Sequence, residues 1–214
     1  MKLETTTKKI VIFASGSGSN LIAIHKNIEL GLVNACIKLI VSNNAYSGAI
    51  KYASRYDLPF FIHNKFRFPD KFVYEESLLE ELNKIKPDLI VLAGYMKKIP
   101  SKIIDSFNNK IINIHPSLLP KYGGPGYFGI RVHQEVIKMK DKFTGVTVHF
   151  VNQVYDDGPI IAQFVLKVDS NETPEELSRR VLIEEHKFYS KVIKAFCENR
   201  IAWEKGKPKI IEDN

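Results

Sequence analysis

Over the first 110 residues, short and nearly all-apolar runs alternate with stretches of helical spacing. "KIVIFA" (9–14), "CIKLIV" (36–41), "PFFIHN" (59–64) and "DLIVLAG" (88–94) predict four strands, and "KIINI" (110–114) a fifth. Between them, Leu21, Ile24, Ile28 and Leu30 recur at helical spacing, a second helix is expected near 47–56, and "VYEESLLEELNKI" (73–85) is amphipathic. Strands that are apolar throughout, not in alternation, belong to a parallel sheet covered on both faces. The pattern predicts an α/β fold with a doubly wound, mostly parallel central sheet and a Rossmann-like N-terminal half.

Beyond residue 114 the rhythm loosens. A Gly/Pro-rich loop (115–129) precedes a helix around 130–140, an alternating strand "TGVTVHFV" (144–151), a loop "NQVYDDGP" (152–159) and a strand "IIAQFVLKV" (160–168). Thr173-Pro174-Glu175-Glu176 signals the start of a long helix over 172–199. The polar tail 204–214 is expected to end in a short edge strand. There is no internal repeat and no low-complexity linker, so the reading is one domain, 1–214, with halves at 8–110 and 111–203.

Composition adds exclusions. At 214 residues, 44% hydrophobic and 26% charged, the chain is an ordinary globular protein large enough for a substantial core. It contains no apolar run of about 18 residues, the length a membrane span needs, and "MKLETTTKK" lacks the apolar stretch of a signal peptide. A cytoplasmic protein is expected. Cys36 and Cys197 have no metal-ligand spacing and read as reduced, packed thiols. The net charge of +7 comes from lysines spread over solvated helix faces, without a basic block or a nucleic-acid motif. Nucleic acid and membrane are therefore not the expected partners, and a small anionic substrate suits the surplus.

Two stretches carry chemistry. "ASGSGSN" (14–20) follows the first strand and opens the first helix. In that context a Gly-rich turn presents backbone N–H groups and a helix N-terminus to an anion. Gly16 and Gly18 permit positive φ, and Ser19 and Asn20 can cap the helix or donate to a phosphate. The dinucleotide fingerprint asks for a third Gly where Leu21 stands, and no ribose-binding acid ends the second strand. A phosphate monoester is the favoured ligand, with a turn that merely caps its helix as the alternative. In "IINIHPSLLP" (111–120), Asn113 and His115 are two apart on a strand, so both side chains point one way. An amide and an imidazole aimed at one point suit a reacting carbonyl. The alternative is a buried Asn–His pair that holds a loop. In "YDDGPI", Asp156 or Asp157 could orient the histidine and raise its pKa, although read alone "DDG" is turn chemistry.

Together, "SGSGSN", "LAGYMKKI", "NIHPSLLPKY", "GVTVHFV", "DDGPII" and "EEH", in this order and spacing, resemble the phosphoribosylglycinamide formyltransferase family over roughly residues 8–203. The resemblance implies the formyltransferase fold and formyl transfer from 10-formyltetrahydrofolate, a co-substrate, to glycinamide ribonucleotide in purine synthesis, without a metal. It implies that Asn113 stabilises the oxyanion, His115 acts as acid, and Asp156 sets the histidine. Gly18, Ser19 and Asn20 would hold the ribonucleotide phosphate, and Leu182, Ile183, Glu184 and Glu185 would lie along the ribonucleotide. Lys71, Met96, Lys97, Lys98 and Ile99, with Asn113, Asn152, Gln153, Val154, Tyr155 and Asp156, would line the folate. The alternatives are another folate-dependent N-formyltransferase, acting for example on an amino sugar nucleotide, and a formyltetrahydrofolate hydrolase. A monomer or homodimer is expected. Asp157 stands where the commoner family form has Gly, Lys97 stands where an Arg is usual, and "YGGPGYFGIRVH" (122–133) matches a longer-loop variant. His133, His149 and His186 receive no role and read as packed or surface histidines.

Overall fold

The computed structural model describes residues 6–212. The fold is α/β, with a mostly parallel sheet of seven strands in the order β3-β2-β1-β4-β5-β6-β7. The chain divides into two compact units, one ending at Ile112 and one starting at Asn113.

The first unit contains β1 (Lys8–Phe13), α1 (Ser19–Glu29), β2 (Ala35–Ser42), α2 (Gly48–Arg55), β3 (Phe60–Ile62), α3 (Lys71–Ile85), β4 (Leu89–Leu92) and α4 (Ser101–Ser106). β1 pairs in parallel with both β2 and β4, and β2 with β3. Ile10 to Phe13, Ile40, Val41, Ile90 and Val91 are fully buried. That explains the unbroken apolar runs, because each of these strands is covered on both faces. The parallel direction brings the exits of β1, β2, β3 and β4 to one edge, where open α/β sheets present their ligand-binding loops.

β5 (Ile111–His115) begins in the first unit and ends in the second, which continues with α5 (Ile130–Lys138), β6 (Phe143–Phe150), β7 (Ile160–Lys167), α6 (Pro174–Cys197), β8 (Ile201–Glu204) and β9 (Lys207–Ile210). β6 and β7 are antiparallel. β6 is buried along seven of its eight residues, whereas β7, the last strand of the sheet, alternates. α6 starts with a complete capping box, in which Thr173 accepts from the Glu176 N–H and Glu176 reaches back to the Thr173 N–H, and has Pro174 in its first turn.

Two elements differ from the sequence pattern. α4 has only six residues behind Pro100, too short for a periodic signal. The tail adds no edge strand to the main sheet: β9 folds back on β8 as a separate two-stranded hairpin. Lys205 and Gly206 both take positive φ, the geometry that matches a two-residue turn to strand twist, and Trp203 stacks on Phe150 at 5.4 Å.

The β6–β7 pairing leaves no space for a side chain at Gly145, where a Cβ would lie 1.9 Å from the Phe164 carbonyl oxygen. Gly145→Ala is expected to destabilise the protein by about 3 kcal/mol, lowering Tm by roughly 6–12 °C. A thermal melt with Tm unchanged would contradict this packing.

Candidate active site

In the first unit, the turn between β1 and α1 is shaped by close backbone approach. Gly18 is the N-cap of α1, with φ 78°. A Cβ there would lie 2.9 Å from Ala49 Cα, and one on Gly48 would lie 2.4 Å from the Ser17 carbonyl oxygen. These two glycines let the turn rest on the start of α2, with the Ala49 N–H donating to the Gly16 carbonyl at 3.2 Å. Gly16 does not take positive φ and has open space where a Cβ would point, so the expectation of conformational need holds for Gly18 alone. Ser19 and Asn20 lie inside the first helical turn, and no side chain caps α1. The first helical hydrogen bond at this end runs from the Ile22 N–H to the Gly18 carbonyl. The N–H groups ahead of it are the donors a helix end leaves for an anion.

In the second unit, four side chains form a chain of contacts. His115, at the end of β5, places Nδ1 3.5 Å from Asp156 Oδ2. Asp156 Oδ1 lies 3.7 Å from His149 Nε2, near the end of β6, and His149 Nε2 lies 3.2 Å from Asn113 Nδ2. His149 Nδ1 donates to the Phe150 carbonyl at 2.8 Å, which leaves Nε2 facing the Asn113 amide as its acceptor. His115 Nε2 donates to the Tyr122 carbonyl at 2.6 Å, so Nδ1 is the nitrogen that faces the carboxylate. Asp156 has φ 54°, a conformation Asp tolerates better than most residues, and also accepts the Gly124 N–H at 2.9 Å. Asp157 is exposed and is held by the Asn152 amide at 3.3 Å. The carboxylate beside the histidines is that of Asp156.

The electrostatics of these four side chains are a contest. Burial lowers the His115 pKa, Asp156 and the Tyr122 carbonyl raise it, His149 lowers it, and the net direction is down. This reverses the expected upward shift, since desolvation of the imidazolium exceeds what one carboxylate at 3.5 Å returns. For Asp156, burial pushes the pKa up. His149 beside it at 3.7 Å, the charge of His115 and the Gly124 N–H outweigh it, and the carboxyl is held below the usual range.

His149, which has no role in the sequence analysis, joins Asn113 to Asp156. Its signal was faint: inward alternation within "GVTVHFV". His133 on α5 is also buried, with Nδ1 unpartnered, and its pKa is pushed down to about 4 by burial, then by His115, against a raising effect from Glu172. His186, on α6, is partly buried with its pKa lowered by burial.

The remaining candidates are spread out. In the first unit, Met96, Lys97 and Lys98 are exposed after β4, whereas Ile99 is buried in the core. The Lys71 side chain is almost fully exposed at the start of α3, 4.0 Å from Glu75. In the second unit, Asn152 accepts the Val154 N–H, and Gln153, Val154 and Tyr155 are exposed on the same loop as Asp156. Helical rotation separates the four residues on α6: Glu185 is buried, Leu182 is half-buried, Ile183 is exposed, and Glu184 pairs with Lys187 at 2.9 Å. Among the described residues, no group of three or more His, Cys, Asp or Glu is arranged to hold a metal ion.

A mostly parallel α/β sheet, a glycine turn after β1 and an Asn–His–Asp–His chain of contacts suit an enzyme that works on a carbonyl group. Residues 8–193 match the formyl transferase family model. The chain is 43% identical over 209 residues to a chloroplastic phosphoribosylglycinamide formyltransferase of Arabidopsis thaliana, covering 97% of this chain and 72% of that one. It is 36% identical over 187 residues to phosphoribosylglycinamide formyltransferase of Bacillus subtilis, covering 87% and 93%. The crystal structure of glycinamide ribonucleotide transformylase 1 from Symbiobacterium toebii superposes with a TM-score of 0.89 at 32% identity, covering 99% and 98%. The chain belongs to the phosphoribosylglycinamide formyltransferase family.

His133 makes the second unit acid-sensitive. Its folded pKa of about 4 lies below the ordinary 6.5, so the unfolded chain takes up the proton first. The associated stability, roughly 3 kcal/mol, is complete above pH 6.5 and is lost as the pH falls towards 4. Tm measured across that window should decline less steeply in His133→Gln, by about one proton's worth of slope. An unchanged slope would remove His133 as the cause.

Proposed function

We propose that this protein transfers the formyl group of 10-formyltetrahydrofolate to the amine of glycinamide ribonucleotide, a step of purine synthesis, within a single formyltransferase domain. Membership of the family supports the reaction, and the linked series Asn113–His149–Asp156–His115 carries the assignment of residues. In the first unit, the N–H groups of Gly18, Ser19 and Asn20 would hold the ribonucleotide phosphate. Met96 to Ile99 there, and Asn152 to Asp156 in the second unit, would contact the folate, whose acidic tail suits Lys71. Leu182 and Glu185, three apart on α6, are the pair of the four best placed to share one ligand, with Glu185 facing ribose hydroxyls.

The amine nitrogen attacks the formyl carbon, the C–N bond forms, and the carbonyl oxygen becomes an oxyanion. The Asn113 amide donates to that oxygen, and His149, which accepts from the same amide, keeps its NH₂ group oriented. His115 starts neutral because burial depresses its pKa. As negative charge develops nearby, the imidazole gains proton affinity and takes up the proton that the amine sheds. Asp156 stabilises the resulting imidazolium. The proton then passes to the departing folate nitrogen as its bond to carbon breaks, giving formylated ribonucleotide and tetrahydrofolate. No water enters the balance, so a tight site favours transfer over hydrolysis.

The cytoplasm is the compartment we propose, consistent with neither Cys36 nor Cys197 forming a disulfide. No helix among the described residues is long and apolar enough to cross a membrane. A monomer or homodimer is proposed, with small molecules as its partners.

Purified protein mixed with both substrates should yield formylated ribonucleotide by mass spectrometry, with no deformylation of folate when the ribonucleotide is omitted. Deformylation without the acceptor would indicate a hydrolase. Asp156→Asn and His115→Ala should each lower kcat by about 10²–10³. Asp157→Asn should stay within about threefold of the parent, as expected for an exposed turn residue. Equal losses at 156 and 157 would refute the assignment of the carboxylate.

A further inference from the structure

Ser15 belongs to neither group of candidate ligands, yet it sits where they meet at the edge of the first unit. It is buried two residues beyond β1, at the foot of the glycine turn. Its hydroxyl donates to Asn43 Oδ1, just beyond β2, at 2.5 Å, and accepts the Met96 N–H, beyond β4, at 2.9 Å. Its own N–H donates to the Gly94 carbonyl at 3.1 Å. The chain of bonds continues past β2: the Asn64 amide, beyond β3, donates to the Asn43 carbonyl at 3.1 Å, and Asn64 Oδ1 accepts the Arg67 N–H at 3.0 Å.

A serine hydroxyl has one proton. In Ser15 that proton is committed to Asn43, and a lone pair to Met96, so the side chain has no donor left for a phosphate. The residue faces a ligand-binding turn but is spent on its neighbours. What it does is tie the exits of four parallel strands into one hydrogen-bonded strap, with Ser15 at the junction of the glycine turn and the 95–98 segment.

We infer that Ser15 is a positioning residue that sets the phosphate turn and the Met96–Ile99 wall in one fixed geometry, so that ribonucleotide and folate affinities both depend on a hydroxyl that contacts neither. This rests on the functional reading above. Removing the hydroxyl leaves the Met96 N–H and Asn43 Oδ1 without their partner and frees the segment after β4 to shift relative to the turn.

The test is Ser15→Ala, with Ser15→Thr as the variant that keeps the hydroxyl. Binding of glycinamide ribonucleotide and of tetrahydrofolate, each alone, is measured by calorimetry well below Tm. Exchange of the Met96 amide is followed by hydrogen–deuterium exchange without ligand. The expectation is that Ser15→Ala weakens both ligands by about tenfold and speeds Met96 exchange by a similar factor, and that Ser15→Thr restores all three. Weakening of the ribonucleotide alone would make Ser15 an ordinary phosphate contact and overturn the inference. Unchanged affinities beside a lowered Tm would reduce it to a structural hydroxyl, and unchanged Met96 exchange would remove the strap. Failure of the parent protein to bind either ligand would refute the functional reading instead, while the exchange result would still judge the strap.

Discussion

Removal of water from around His115 is the constraint to which the chemistry of the second unit answers. An imidazolium in a dry setting is costly, and a carboxylate alone in the same place is costly too. Each lowers the cost of the other, but at 3.5 Å, with a second histidine beside them, the exchange is incomplete. The neutral imidazole wins at rest and the carboxylate stays charged. A group poised this way has little charge of its own until a reaction generates some nearby, which is what a proton relay at neutral pH requires.

The first unit works under a different constraint, the closeness of backbones. Gly18 and Gly48 allow the turn after β1 to lie directly on the start of α2, and the strands behind them are packed too tightly to adjust. Rigidity there holds the start of α1 in a defined direction. The second unit positions side chains through hydrogen bonds, whereas the first positions its main chain through absent side chains.

Much of this was readable in the residues. The strands of the first unit were legible because complete burial writes an unbroken apolar run, and the start of α6 because a capping box has a fixed spacing. Asn113 and His115 stood out because an amide and an imidazole two apart are unusual on an apolar strand, whereas Asp156 was distinguished from Asp157 only by the family resemblance. His149 did not: its importance comes from what β6 sets beside it, and pairing between distant segments leaves no local mark. The direction of the His115 shift was misread because sequence reveals a neighbouring carboxylate but not the depth of burial that opposes it. Ser15 looked like one more residue of a Gly/Ser turn, and only the positions of Asn43 and Met96 distinguish it. The hairpin at 201–210 was hidden because Lys205-Gly206 is a weaker turn signal than Asn-Gly.

The acceptor that fixes the His115 ring is the carbonyl of Tyr122, a backbone atom. Every amino acid supplies that oxygen, and what position 122 demands for it is a backbone that accepts φ 54°, not a particular side chain. The tyrosine side chain has a separate occupation, donating to Asp141 at 2.8 Å. A survey that replaces one side chain at a time would score position 122 for its bond to Asp141 and never register its hold on the histidine. Part of this site is written in the route of the main chain, where neither alanine scanning nor sequence comparison can read it.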